Sequence, residues 1–162
     1  MQLPSGQPFG QRDHLDASGP AVEDHGRAVT ASPRAATWYR HAQRAIDRRR
    51  ATTALRLAVE ADPAFELALA DLDAMTGTSG QRHSRGQMNW ERHHIEIVRT
   101  AVSGNARRAA DLLREHLAGV GCDPLAFRIV AHMRQTMGMD DDFEDLAGHL
   151  PDCHPTRWPG SP

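Results

Sequence analysis

Lysine is missing from this chain of 162 residues: all 19 of its cationic side chains are arginine. That excludes a Schiff-base lysine, a P-loop lysine and the ATP-contacting lysine of a kinase. An arginine- and alanine-rich genome accounts for the absence without selection for function. Cysteine is scarce, with only Cys122 and Cys153 present, too few for the disulfide framework of a small secreted domain. The N-terminus has no apolar run resembling a signal peptide. No stretch approaches the roughly 20 apolar residues of a membrane span. The expectation is a cytoplasmic protein with reduced thiols and no membrane partner. A dominant charge is lacking too: the net charge of −2 gives no global basic field, so no nucleic-acid partner is expected. Hydrophobic residues make up 40%, a share that suggests polar tails around a modest helical core.

What is present is organised around residues 89–138. Trp90, His94, Ile97, Val98, Ala101 and Val102 recur at three- and four-residue spacing, placing them on one helix face. Ser103-Gly104-Asn105 breaks that helix, with Asn105 able to cap the next. Ala106, Ala109, Ala110, Leu113 and Leu117 form a second stripe. Asp123 and Pro124 then supply an N-cap and a first helical position. Ala126, Ile129, Val130, Met133 and Met137 form a third stripe, stopped by Gly138.

Residues 1–33 hold many prolines and glycines without apolar periodicity and read as a flexible tail. The helical domain is expected over 34–150. Its first helix runs from Ala35 to about Arg49 and its second from Ala51 to Ala61. A third, started by Asp62-Pro63, points Phe65, Ala68, Leu69, Leu72 and Met75 inward and ends at Gly77. Residues 77–88 are polar, glycine-rich and read as a loop. Asp140-Asp141-Asp142 opens a short acidic helix, and residues 151–162 form a second flexible tail. The fold class is therefore all-α, with five to six helices in antiparallel hairpins.

Two segments share the layout helix, tight turn, alanine-rich helix, Asp-Pro, helix. Ala51, Leu55, Ala58 and Pro63 match the spacing of the second half of a tetratricopeptide repeat, in which small alanines let two helices approach. Ala109 and Leu113 keep that spacing, while His116 stands where the small residue belongs. Glu91-Arg92-His93-His94-Ile95, Gly104, Ala109, Leu112-Leu113, Leu117 and Asp123-Pro124-Leu125-Ala126 resemble bacterial members of the tetratricopeptide repeat protein 38 family. Ala51–Leu72 resembles the first repeat of that family, so the likeness covers about residues 35–138. It implies a tetratricopeptide-like right-handed array and no established chemistry. The chain is much shorter than such proteins, and its loop 77–88 sits where a helix would complete the second pair.

Several residues invite a chemical reading. Glu91-x2-His94 places two ligand types on one helix face, but a di-iron bundle needs two such motifs and two further glutamates. His94 lies in an apolar stripe, so a partly buried histidine with a local partner is expected. Cys122, His116 and His132 form one sparse cluster and His149, Cys153 and His154 another. Neither has the paired spacing of structural zinc, so no metal and no cofactor are expected. Cys122, just before a helix N-terminus, is either an activated thiol or an incidental one. Arg48-Arg49-Arg50 with Arg40 and Arg44 makes a basic stripe, readable as a solvated face or as a phosphate or acidic-peptide contact. Trp38 and Trp90 sit early in the helices that would line the concave side of an array. These features lead to a non-catalytic module that binds a protein or peptide in a groove formed by helices 35–49, 64–76 and 90–102. Trp38, Tyr39, Trp90, His94, Arg40 and Arg44 are its expected contact residues. The alternative is a small helical enzyme or ligand binder with its site at Trp90, Glu91, His93 and His94. Uncovered stripes at Trp38, Ile46 and Leu55, and at Phe143, Leu146 and Leu150, suggest a homodimer or capping by residues 1–33.

Overall fold

The computed structural model describes residues 21–78 and 88–139. The expected acidic helix at 140–150, the C-terminal tail, most of the loop 77–88 and residues 1–20 lie outside that range. The described residues form six helices: α1 (Pro33–Arg44), α2 (Arg48–Ala61), α3 (Glu66–Thr76), α4 (Asn89–Val102), α5 (Ala106–Val120) and α6 (Pro124–Thr136). The all-α class holds among them, apart from one isolated antiparallel bridge between Val22 and Ala28. No described helix is long and apolar enough to cross a membrane.

The start signals act largely as the sequence predicts. Ser32 Oγ accepts the Ala35 amide at 3.3 Å, and Pro33 takes the first turn of α1. Asn105 caps α5 and Asp123 caps α6, again with proline in the first turn. Gly121, at φ +81°, makes the turn between α5 and the Asp123 cap, a conformation that side-chain-bearing residues rarely adopt.

Three boundaries differ from expectation. α1 ends at Arg44 because Asp47 caps α2, accepting the Arg50 amide at 2.8 Å. Arg48, Arg49 and Arg50 therefore open α2 instead of closing α1. Asp62 is not the N-cap of α3: it ends α2 and accepts the Ser32 amide at 2.7 Å. In α3 the buried face carries Leu67, Ala68, Ala70, Asp71, Ala74 and Met75, while Leu69 and Leu72 are only half-buried.

Alanines on α1 and α2 (Ala35, Ala42, Ala51, Ala58) are fully buried, so their helices approach closely around Tyr39 and Leu55. Consecutive helices pack as neighbours, and α6 packs on α4, α5, α3 and α1. Two apolar clusters result, and α4 and α6 contribute to both. Residues 21–32, expected within the flexible tail, lie against the helices, with Val29 buried in the first cluster. Of the expected uncovered stripe, Leu55 is buried, Trp38 half-buried, and Ile46 57% exposed.

Candidate functional site

A chain of five polar side chains runs through the centre of the helices. Tyr39 of α1 donates its hydroxyl to Asp71 Oδ2 of α3 at 2.8 Å. Asp71 Oδ1 lies 2.7 Å from His94 Nε2 of α4. His94 Nδ1 lies 2.7 Å from Asp123 Oδ2, and His116 Nε2 of α5 lies 2.9 Å from the same oxygen. Asp123 Oδ1 accepts the Ala126 amide at 3.2 Å, so the cap of α6 also anchors the network. Every member is at most 2% exposed.

Ionised carboxylates only accept, so both ring nitrogens of His94 donate and the ring is an imidazolium. Burial works against that charge, but Asp123 and Asp71 outweigh it and raise the His94 pKa to about 10. Burial likewise opposes the Asp123 carboxylate, yet His94 and His116 hold it well below the usual carboxylate range. Asp71 has one imidazole neighbour where Asp123 has two, and burial pushes its pKa up. Burial and the adjacent Asp71 raise the Tyr39 phenol well above its ordinary value, which fixes it as a donor. His116 donates through Nε2, and its buried Nδ1 has no hydrogen-bond partner.

Tyr39 and His94, expected in an open groove, are instead fully buried. The reason is α6, which closes over α1, α3 and α4 where an open array would leave a concave side. Glu91 and His94 do not converge. Glu91 Oε1 accepts the Thr30 amide at 2.7 Å, and Oε2 accepts Thr30 Oγ1 at 2.8 Å and the Met88 amide at 3.0 Å. Trp90 Nε1 donates to the Ala28 carbonyl at 3.0 Å, and the Arg27 guanidinium lies 4.4 Å from its ring centroid. Trp90 and Glu91 are thus occupied by residues 27–30 of the same chain, while His93 is exposed beside His116. The constellation Trp90, Glu91, His93, His94 is not assembled as a site.

The buried Glu23 carboxylate fastens the rest of that segment. It accepts the Arg27 amide at 3.0 Å, Arg27 Nε at 3.1 Å and Gln43 Nε2 at 2.9 Å. Cys122 is disulfide-bonded, so it is neither a reduced thiol nor a nucleophile; Cys153 lies outside the described residues.

An open groove of about 820 Å³ lies on the outer side of the α1–α2 corner. Trp38, Ile46, Ala54 and Leu57 supply its apolar wall, and His41, Arg44, Arg49 and Arg50 its cationic and polar edge. Trp38 packs on His41 with ring centroids 5.4 Å apart. Arg44 pairs with Asp24 and Arg50 with Asp47, whereas the Arg49 side chain has no ion-pair partner among the described residues. Of the expected groove residues, Trp38 and Arg44 line it. Arg40 is half-buried and donates to Thr37 Oγ1 at 3.1 Å.

No family model, no curated protein and no solved structure matches this chain.

Proposed function

We propose that the protein is a non-catalytic interaction module, built as a tetratricopeptide-like helical array, that binds an acidic peptide segment in the α1–α2 groove. The observation that carries this reading is the composition of the groove: an aromatic and aliphatic wall beside three arginines, of which Arg49 has no ion-pair partner among the described residues. The repeat spacing of Ala51, Leu55, Ala58 and Pro63 supports the array. Trp38 offers a large rigid surface for an apolar anchor, the kind of residue that dominates peptide binding. Arg44, Arg49 and Arg50 would steer carboxylates and fix the peptide's register.

The test is fluorescence anisotropy with the full chain and a labelled 12-residue peptide rich in Asp and Glu with one Leu. Its Asn/Gln counterpart is the control. Saturable binding that weakens with salt and is lost in the amide peptide is expected. Trp38→Ala should cost tenfold or more, and Arg49→Ala with Arg50→Ala a few-fold, since exposed charge pairs are each worth roughly 0.2–1 kcal/mol. Equal binding of the two peptides, or indifference to both variants, would overturn the reading. So would a groove occupied by a second copy, revealed by light scattering as a homodimer that Ile46→Glu dissociates.

A further inference from the structure

We infer that His94, His116 and Asp123 form a buried binding site for a divalent transition-metal ion, best suited to zinc, that ties α4, α5 and the start of α6 together. Each residue offers one ligand atom, and the three atoms lie within 4.8 Å of one another. The donors come from α4, α5 and the N-cap of α6, so one ion would add a coordinate link to elements that the His94–Asp123 and His116–Asp123 contacts already join.

The distances favour a shared cation. His94 Nδ1 and His116 Nε2 crowd onto a single oxygen of Asp123, at 2.7 and 2.9 Å. In a tetrahedral zinc site with bonds of about 2.0–2.1 Å, ligand atoms stand about 3.3 Å apart. An opening of about half an ångström, within reach of a side-chain adjustment, would replace the protons between these atoms with the ion.

The surroundings are also those of a ligated histidine. A metal-bound histidine almost always donates its other ring nitrogen to a carboxylate or carbonyl that fixes its orientation. His94 Nε2 already does so to Asp71 Oδ1 at 2.7 Å, and Asp71 is held in turn by the Tyr39 hydroxyl at 2.8 Å. Asp123 is oriented by capping α6 through its other oxygen. His116 faces the site through Nε2, and its buried Nδ1 has no hydrogen-bond partner, so the orienting partner typical of a ligated histidine is present for His94 and not for His116.

Two imidazoles and one carboxylate select against calcium and magnesium, which require mostly oxygen donors, and suit zinc or its neighbours. Burial of all three residues at 2% exposure or less gives a bound ion no access to a substrate, so its role is to fasten the fold. Sequence spacing does not reveal the site, because its ligands stand 7, 22 and 29 residues apart with no paired motif.

The experiment uses the full chain stripped with EDTA and then titrated with ZnCl2 by calorimetry. CoCl2 serves as a spectroscopic probe. One ion per chain, a raised thermal midpoint and cobalt d–d bands typical of low coordination are expected. His116→Gln and Asp123→Asn should each weaken binding at least 100-fold. Asp71→Asn, which touches only the outer partner, should weaken it about 10- to 100-fold and keep the stoichiometry. His93→Gln, on the neighbouring exposed residue, should bind as the parent does. A folded parent chain with no saturable zinc binding overturns the site, as does a His116→Gln chain that binds undiminished. Because those variants disturb a buried cluster, NMR of the parent chain gives an independent reading. The ring protons of His94 and His116 should shift with zinc, and a response confined to other histidines overturns the assignment.

Discussion

Nη1 of Arg128, in α6, donates to the backbone carbonyl of Gln43, in α1, at 2.9 Å and across 85 positions of sequence. The same nitrogen reaches the Ala45 carbonyl at 3.2 Å. These carbonyls end α1, where the helix can no longer satisfy them and its dipole is negative. A buried guanidinium from the last described helix thus completes the first. This contact ties α6 to the end of α1. Arg128→Met keeps most of the apolar stem and removes the donors. It is expected to lower the unfolding free energy by about 2 kcal/mol, within the range for hydrogen bonds involving charged groups. Urea denaturation measures this, and an unchanged midpoint would mean that the closure rests on apolar packing alone.

Glu91 gives a separable prediction, because its carboxylate holds the Thr30 amide and hydroxyl and the Met88 amide. Glu91→Ala should loosen residues 21–31 while α1–α6 stay folded. Trypsin reports this directly, since Arg27 is half-buried on the Trp90 ring. Cleavage after Arg27 should accelerate several-fold in the variant, tracking the population of the opened segment. Equal cleavage rates would place the segment's attachment in the Glu23 cluster instead.

These two contacts show what a sequence carries and what it withholds. Helix starts at Asn105 and Asp123-Pro124, and the stop at Gly77, are legible because capping is local chemistry. The end of α1 is not, since Ala45-Ile46-Asp47 carries no glycine or proline to mark it. Asp62-Pro63 reads as a helix start by the same rule that succeeds at Asp123-Pro124. There a tertiary partner, the Ser32 amide, engages the carboxylate first. His94 in an apolar stripe suggests a partly buried histidine with a local partner, whereas it is fully buried and its partners are distant in sequence. Its two partners lie 23 and 29 residues away, and no local pattern ties them to it. Asp71 is not legible because the apolar spacing of α3 points Leu69 and Leu72 inward, whereas both are half-buried and Asp71 takes the buried position between them.

The Glu23 cluster makes stability depend on acid. Burial opposes the Glu23 carboxylate, but hydrogen bonds from Arg27 and Gln43 and the Arg27 charge outweigh it, so its folded pKa lies below the ordinary value of 4.5. A depressed folded pKa contributes stability that is present above about pH 4.5 and is lost as pH falls through the folded value. Glu23→Gln removes that contribution. The stability difference between parent and variant should therefore be full at pH 6–7 and should shrink below pH 4.5. Thermal melts across pH 3–7 measure it, and a difference that stays constant with pH would remove Glu23 from the acid response.

The central network predicts an asymmetry between its members. His94 stands between two buried carboxylates and touches both at 2.7 Å. His94→Leu matches its bulk approximately but leaves Asp71 and Asp123 facing each other without a cation. Breaking a buried ionic cluster by removing one partner typically costs about 3–5 kcal/mol. Tyr39→Phe removes one donor from Asp71 and leaves the imidazolium in place, so its cost should be nearer 1.5–3 kcal/mol, the value for a bond to a charged group. In EDTA, where no ion contributes, the order should be His94→Leu well below Tyr39→Phe, with Tyr39→Phe below the parent. Combining Asp71→Asn with His94→Leu should cost less than the sum of the two, because the first removes one of the charges that the second strands. Urea melts of the four chains decide the matter. Additive costs would mean that Asp71 and His94 act independently despite their contact, and that the relay from Tyr39 to His116 is a set of separate pairs.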